Sequence, residues 1–344
     1  MRTNRLGPNG PDVSELSLGT MTFGVETDEA DAHRQLDAFV GAGGTHIDTA
    51  DVYGAGESER IIGRWLRDRR PDGVTLATKG RFGPDEFGGA SATALTASLD
   101  ASLSRLDVEH VDLYYVHAWD PEVPVSETLG ALAEAVAAGK IGAVGWSNTT
   151  GWQLQRILDV ARQDGLPFPV AFQPQYNLVD RTIEWELLPL CLDEGLSVVP
   201  WSPLGGGWLT GKYRRDEAPT GATRLGEDPD RGVEAYAGRN TDRVWRIIDE
   251  ATAIAIETGR WIGEVPLRWL LERPGVATVL LGARTTEQLQ QSLAVVDCRL
   301  DGEALDRLTR VSAPGVPSYP YGMLEQFAGL DVWQRLGTAV PDSG

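Results

Sequence analysis

The feature that most constrains this chain is an alternation. Short apolar runs rich in Val, Ile and Leu alternate with amphipathic helical stretches along the whole length. Runs of that kind, apolar on both faces, belong to parallel strands joined by helical crossovers. They are predicted to end near Met21, Asp48, Lys79, His117, Ser147, Gln175, Trp201 and Leu281. Most of these ends are about 31 residues apart, the spacing expected when ~250 residues are shared among eight strand-helix units. The pattern predicts an α/β fold, a closed (β/α)8 TIM barrel rather than an open sheet. At 344 residues the chain is long for one domain, but barrels with insertions reach that size. Residues 1–344 are therefore read as a single barrel domain, with 314–344 as a C-terminal tail.

Within this frame, helices are expected from Asp28 to Val40, from Ala92 to Leu106 and from Val125 to Ala138. The first opens on an acidic turn and stops before Gly41-Ala42-Gly43-Gly44, where glycine suits a left-handed cap. Residues Arg2 to Ser17, punctuated by Gly7-Pro8-Asn9-Gly10-Pro11, read as a hairpin that plugs the mouth at the strand N-termini. After Trp201, the stretch from Leu204 to Asn240 is rich in Gly, Pro, Asp and Arg and reads as a long loop after strand 7. Helical pattern resumes at Thr241. Loops at the C-terminal face of a barrel are where its ligands are held.

Charge and composition narrow the function. With 50 acidic and 31 basic residues the net charge is −19, which disfavours nucleic acid or an anionic membrane as a partner. No stretch approaches the ~20 apolar residues of a membrane helix. Met1 to Arg5 is not followed by a signal-like apolar segment, so a cytoplasmic location is expected. Cys191 and Cys298 read as reduced structural thiols in helices. His33, His46, His110 and His117 are scattered without ligand spacing, so no metal is expected. No GxGxxG follows the first strand, which disfavours a Rossmann domain.

The chemistry concentrates at successive strand ends. In Gly44-Thr45-His46-Ile47-Asp48-Thr49-Ala50-Asp51-Val52-Tyr53-Gly54 a strand delivers Asp48 to its end and Tyr53 follows in the loop. The next strand, Val74 to Lys79, ends on a lysine, and Val111 to His117 ends on a histidine. One such residue alone reads as a cap or a packed polar group; four at one mouth read as a site. This set, with Leu18-Gly19-Thr20-Met21-Thr22-Phe23-Gly24 before it, resembles the aldo-keto reductase family. The likeness is greater to its bacterial and potassium-channel β-subunit branch than to the mammalian aldose-reductase branch. It runs over essentially the whole chain, and Asp48, Tyr53, Lys79 and His117 match the family's tetrad.

The resemblance implies hydride transfer between NADPH and a carbonyl. Alkoxide character develops as hydride arrives, so a donor must meet that oxygen. Tyr53 is assigned as that donor. Lys79 is expected to lower the phenol's pKa and Asp48 to keep Lys79 charged. His117 orients the carbonyl or shares the proton, in either tautomer. By the same resemblance Ser147, Asn148 and Gln173 hold the nicotinamide carboxamide and Trp201 stacks on its ring. Gly19, Thr20, Met21 and Asp48 border the cofactor. Ser202, Leu204, Gly207 and Lys212, in the loop around Gly205-Gly206-Gly207-Trp208, cover the pyrophosphate. Gly282, Arg284, Gln288, Gln291 and Ser292 take the adenosine end, with Arg284 on the 2′-phosphate. That favours NADPH over NADH. Two departures stand out: Ser292 replaces a common Asn, and Gly282 a lysine of some branches.

The pocket for a small-molecule carbonyl substrate is expected to draw on Phe23, Tyr53, His117 and Trp119, with Met21, Tyr319 and Tyr321 either at the mouth or simply packed. Ala118 leaves room beside His117, compatible with a keto-sugar or a secondary-metabolite carbonyl. The other reading from the same resemblance is a nucleotide-binding regulatory subunit of the channel-β type. A homo-oligomer is compatible with either.

Overall fold

The computed structural model describes residues 1–83, 88–221, 223–230, 232–315 and 317–328. In chain order it contains β1 (Thr3–Arg5), β2 (Asp12–Ser14), β3 (Leu16–Gly19), α1 (Glu29–Gly41), β4 (His46–Asp48), α2 (Glu57–Arg69) and β5 (Thr75–Gly80). There follow α3 (Ala92–Leu106), β6 (Val111–Val116), α4 (Val125–Ala137), β7 (Ile141–Ser147), α5 (Gly151–Asp164), β8 (Ala171–Gln173), α6 (Leu187–Glu194) and β9 (Ser197–Val198). The chain continues with α7 (Arg224–Glu227), α8 (Tyr236–Arg239), α9 (Asp242–Thr258), α10 (Glu264–Leu271), β10 (Val279–Leu281), α11 (Thr286–Leu293), α12 (Gly302–Ser312) and α13 (Met323–Ala328). These form two compact units. One comprises Met1–Pro174, Leu190–Trp201 and Ala277–Leu293; the other comprises Gln175–Pro189, Ser202–Val276 and Ala294–Gly344.

The first unit is the barrel. Eight strands lie in the order β10-β3-β4-β5-β6-β7-β8-β9, every pair parallel. Backbone bonds from Ala277 N to Val198 O (3.0 Å) and from Leu280 N to Pro200 O (3.1 Å) join the two ends of that order and close the ring. The expected (β/α)8 topology is therefore present, although the first, sixth and seventh barrel strands stop at Gly19, Gln173 and Val198, short of the expected ends. Apolar side chains from Ala77, Leu113, Tyr115, Ala171 and Val199 fill the interior, as the layered core of a barrel requires.

The N-terminal hairpin, β1 antiparallel to β2, closes the floor. Leu6 and Val13 are fully buried in the barrel core. Polar contacts pin the hairpin to strand starts: Asn4 Nδ2 donates to Ala277 O (2.6 Å), Thr75 Oγ1 to Asp12 O (3.1 Å) and Gly7 N to Ser197 Oγ (2.8 Å). Outer helices begin where the sequence supplies caps. Asp28 Oδ1 accepts from Asp31 N, Ser91 Oγ from Ala94 N, and Thr150 with Gln153 forms a capping box.

In the second unit the stretch from 204 to 240 is less irregular than expected. It holds a 3-10 turn at Gly205–Thr210, another at Gly232–Glu234, and the short helices α7 and α8. The organiser is Trp208, fully buried, stacked on Tyr236 at 5.4 Å and edge-on to Tyr213 and Trp245. A single large aromatic gives this Gly- and Pro-rich segment a small core of its own. Another expectation needs correcting: Cys191 lies in α6, but Cys298 follows the 3-10 turn Ala294–Asp297 rather than lying in a helix. Both thiols are buried and free. No helix among the described residues is long and apolar enough to cross a membrane.

One buried group of the barrel floor titrates usefully. His46 is fully buried, its Nδ1 2.7 Å from Ser17 Oγ. Burial pushes its pKa down from 6.5 to about 4. Over that interval the unfolded chain binds a proton that the folded chain does not, so the stability it contributes is whole above pH 6.5 and is lost as pH falls toward 4. At about 1.4 kcal/mol per pKa unit the loss is roughly 3 kcal/mol. Urea unfolding between pH 7 and 4 should therefore show a shallower loss of stability for His46→Gln than for the wild type; parallel pH profiles would contradict this account.

Candidate active site

The site grows from the pairing of β4 with β5. Asp48 is the last residue of β4 and Lys79 lies near the end of β5. Beyond the strand, Thr49 N bonds Ala77 O (2.9 Å) and Asp51 N bonds Lys79 O (3.0 Å), so the chain leaving β4 stays zipped to its neighbour. It then turns through Tyr53–Gly56 into α2. The turn needs glycine at Gly56, with φ 86°, where a Cβ would lie 2.7 Å from the Arg105 side chain. Tyr53 is thereby carried to the lysine.

Lys79 is fully buried and spends all three of its protons. Its Nζ donates to Asp48 Oδ1, to Thr49 O (2.7 Å) and to Tyr53 OH (3.4 Å). Asp48 Oδ2 accepts from Gln173 Nε2 (2.9 Å), and Gln173 O accepts from Ser147 Oγ (2.7 Å). Residues from β4, β5, β7 and β8 are thus tied into one polar chain. Burial alone would lower the lysine pKa, but the Asp48 carboxylate outweighs it and the ammonium is held above its ordinary value. Tyr53, half-buried, also moves up: enclosure of the phenol exceeds the lowering effect of Lys79. The expectation of a net depressed tyrosine pKa is therefore corrected. Lys79 offsets part of the burial, and Tyr53 stays a neutral phenol near neutral pH.

His117 follows β6, with its N bonded to Gly80 O (3.0 Å) and its O accepting from Asn148 Nδ2 (2.9 Å). Its ring stands edge-on to Tyr53 at 6.0 Å and 5.0 Å from Phe82. Nδ1 is buried with no partner among the described residues. Burial, with Lys79 and Arg81 nearby, pushes its pKa down to about 3. The imidazole is neutral. Asp48, Tyr53, Lys79 and His117 therefore come together as the sequence suggested, a phenol and a neutral imidazole facing each other over a buried ion pair.

The other expected residues divide. Gly19 pairs with Asp48 across the sheet, Thr20 Oγ1 donates to Asp48 O (3.0 Å), and Met21 is exposed. Asn148 is exposed in a left-handed conformation, φ 51°. Trp201 packs against the barrel core with its indole N–H buried and unpartnered among the described residues. Arg284 lies 3.5 Å from Glu26, and its N bonds Gln288 Oε1 (3.0 Å). Gly282, Gln288 and Gln291 are exposed, whereas Ser292 is buried and its hydroxyl donates to Gln288 O (3.1 Å).

In the second unit, Ser202 Oγ donates to Glu234 Oε1 (2.6 Å), Leu204 O accepts from Gly207 N (3.0 Å), and Gly207 adopts φ 93° against the Lys212 side chain. Lys212 Nζ sits over the Tyr213 ring at 5.2 Å.

For the substrate pocket, Trp119 is half-buried beside Trp152. Phe23 differs from expectation: it is fully buried, because Phe23 N to Thr20 O and Gly24 N to Thr27 O fold that turn inward. Tyr319 is exposed and Tyr321 bonds Glu186, both in the second unit, while residues 316 and 329–344 of the expected tail lie outside those described.

Three features escaped the sequence reading. Asp51 is buried, accepts from Ser98 Oγ (2.8 Å) and is pushed up to about 6 by burial. Glu234 is buried, takes the Ser202 hydroxyl and pairs with Arg224 at 2.6 Å. Arg81 stands beside His117 on a φ of 118°. None belongs to a recognisable motif; a buried acid two residues before Tyr53 was the only available signal. Among the described residues no group of three or more His, Cys, Asp or Glu could hold a metal ion.

The ion pair sets the cost of disturbing the site. Asp48→Asn leaves the buried Lys79 charge uncompensated and should cost about 3–5 kcal/mol in urea unfolding. The double variant Asp48→Asn/Lys79→Met should recover part of it, and strict additivity of the two changes would argue against a coupled pair.

Comparison with known proteins agrees with this geometry. The model of the "Aldo/keto reductase family" matches residues 15–313. The "Uncharacterized oxidoreductase YrpG" of Bacillus subtilis is 35% identical over 90% of this chain and 96% of its own length. The "Probable voltage-gated potassium channel subunit beta" of Oryza sativa is 34% identical over 90% of this chain and 96% of that protein. "Norsolorinic acid reductase B" of Aspergillus parasiticus is 31% identical over 89% and 83%. With the family model spanning most of the chain and the tetrad residues assembled at one barrel mouth, the chain belongs to the aldo/keto reductase family of carbonyl oxidoreductases.

Proposed function

We propose that this protein reduces an aldehyde or ketone to an alcohol with hydride from NADPH, and that Tyr53 donates the proton. The observation that carries the reading is Lys79 Nζ, bonded at once to Asp48 and to the Tyr53 hydroxyl. A neutral phenol can give its proton to the oxygen of a carbonyl as negative charge develops there. The phenolate left behind faces a buried ammonium that burial cannot discharge, because Asp48 holds it charged. His117, neutral, can donate a hydrogen bond to the same oxygen without adding a charge to the pocket. Gln173 fixes Asp48, and with it the direction in which Lys79 points.

The residues fit a nicotinamide cofactor, which supplies the hydride when bound and which aldo/keto reductases generally use. Gln173 spends its amide nitrogen on Asp48 and keeps Oε1 to accept, Ser147 keeps acceptor lone pairs, and Asn148 keeps its Oδ1 and one N–H. That set suits a carboxamide. Trp201 offers an indole face. Gly19, Thr20 and Met21 are assigned beside it, and Ser202, Leu204, Gly207 and Lys212 to the pyrophosphate. Gly282, Gln288, Gln291 and Ser292 go to the adenosine, with the Ser292 hydroxyl already engaged by its own helix. Arg284 is the basis for NADPH over NADH, its guanidinium exchanging Glu26 for the 2′-phosphate. We place the enzyme in the cytoplasm, as one barrel domain acting on a small molecule.

A second reading is supported by the relatives named as channel β-subunits: a nucleotide-binding regulatory subunit. A stoichiometric membrane partner together with negligible multiple turnover would favour it.

The direct test is Tyr53→Phe. Reduction should fall about 10²- to 10⁴-fold, with NADPH binding, followed by fluorescence titration, within about twofold of wild type. Retained turnover contradicts the assignment. Arg284→Leu should shrink the ratio of NADPH to NADH affinity about tenfold or more, as loss of a charge-assisted bond predicts; an unchanged ratio would remove the basis for NADPH.

A further inference from the structure

The exposed apolar side chains of the first unit are unevenly placed. Val136 and Leu192 lie on outer helices, but Met21, Val25, Val52, Phe82 and Trp152 all lie on the loops, or the first helical turn, that follow β3, β4, β5 and β7. This is the end of the strands that carries Tyr53 and His117. Leaving apolar surface in water is unfavourable, and a cluster of it around a reactive centre marks a ligand-binding rim. Two of these side chains are large aromatics, Phe82 at 41% exposure and Trp152 at 64%.

The aromatics are ordered about His117. Phe82 meets the His117 ring at 5.0 Å. Trp119, two residues beyond His117, stands edge-on to Trp152 at 5.5 Å. Trp152 begins α5 just past Asn148, whose amide holds the His117 carbonyl. The rim thus offers ring faces and edges beside the imidazole. A sugar, with a hydroxyl on almost every carbon, would leave its polar groups unmatched against such a surface.

One cation belongs to this rim. Arg81 lies over the Phe82 ring at 4.8 Å and is close enough to His117 to depress its basicity. In a chain of 50 acidic residues, Arg81 has no carboxylate partner among the described residues, and its Nε is buried without a hydrogen-bond acceptor. It occupies a backbone conformation, φ 118°, that L side chains rarely adopt. A guanidinium so held, stacked on an aromatic ring and lacking an anion, is suited to receive one from a ligand.

We propose that this mouth takes a planar aromatic carbonyl compound bearing an anionic oxygen, a carboxylate or phenolate, with its rings against Phe82, Trp119 and Trp152 and its charge on Arg81. This rests on the carbonyl-reduction reading and names its substrate class in place of a keto-sugar. The reaction is unchanged: the C=O π bond breaks, the carbon gains the cofactor's hydride, and the oxygen takes the Tyr53 proton.

The test compares kcat/KM, with NADPH, for 6-formyl-2-naphthoate, 2-naphthaldehyde and D-glyceraldehyde. The expected order is the order just given. Arg81→Met should reduce the ratio of carboxylated to uncharged naphthaldehyde about tenfold or more, the range for a hydrogen bond to a charged group, and Arg81→Lys should restore part of it. Trp152→Ala should reduce the ratio of naphthaldehyde to glyceraldehyde about two- to tenfold, as loss of an aromatic contact implies. Turnover of glyceraldehyde or a keto-sugar in preference to both naphthyl compounds, or ratios indifferent to both substitutions, overturns the substrate assignment while the reductase reading stands. No turnover of any carbonyl by the wild type overturns that reading and the assignment with it.

Discussion

The ion pair between Asp48 and Lys79 is the interaction on which the rest of the site depends. Both groups are removed from water, and a charge in that position is costly unless its partner is close and every remaining proton and lone pair is satisfied. Here they are satisfied by backbone and side chain together: Thr49 O, Tyr53 OH and Gln173 Nε2 complete the set. Breaking the pair would do more than remove an attraction. It would release the direction of the lysine, and with it the position of the phenol it touches.

The pair also explains the electrostatics around it. A fixed positive charge beneath the mouth keeps His117 neutral, with burial adding to the effect, while it only partly offsets the burial of Tyr53. The result is a pocket with a neutral acid, a neutral hydrogen-bond donor and a cation waiting below. Such a pocket can accept a carbonyl oxygen and stabilise the charge that moves from it to the phenol. The acid is a proton donor at rest, which suits reduction better than a pre-formed phenolate would.

Much of this was legible in the sequence because the relevant signals are local and periodic. Helix α3 runs from Ala92 to Leu106, as its apolar spacing and the Ser91 cap predict, and Asp48, Lys79 and His117 follow from strand ends alone. What could not be read depends on contacts distant in sequence. The inward fold of Phe23 is set by bonds within its turn, the order in the Gly- and Pro-rich stretch after Ser202 by the burial of Trp208, and the rise of the Tyr53 pKa by how far the phenol is enclosed. Arg81 gives no sequence signal, since an arginine without a partner looks like any other until its neighbours are known.

The central claim is that Tyr53 rests as a neutral phenol over a permanently charged Lys79. Ultraviolet difference titration of wild type against Tyr53→Phe, following tyrosinate absorbance near 295 nm, isolates this one residue from the other seven tyrosines of the chain. The account predicts no Tyr53 tyrosinate below the ordinary tyrosine value of about 10. Ionisation with a midpoint below pH 8 would contradict it, showing that the lysine dominates burial and that the resting group is a base.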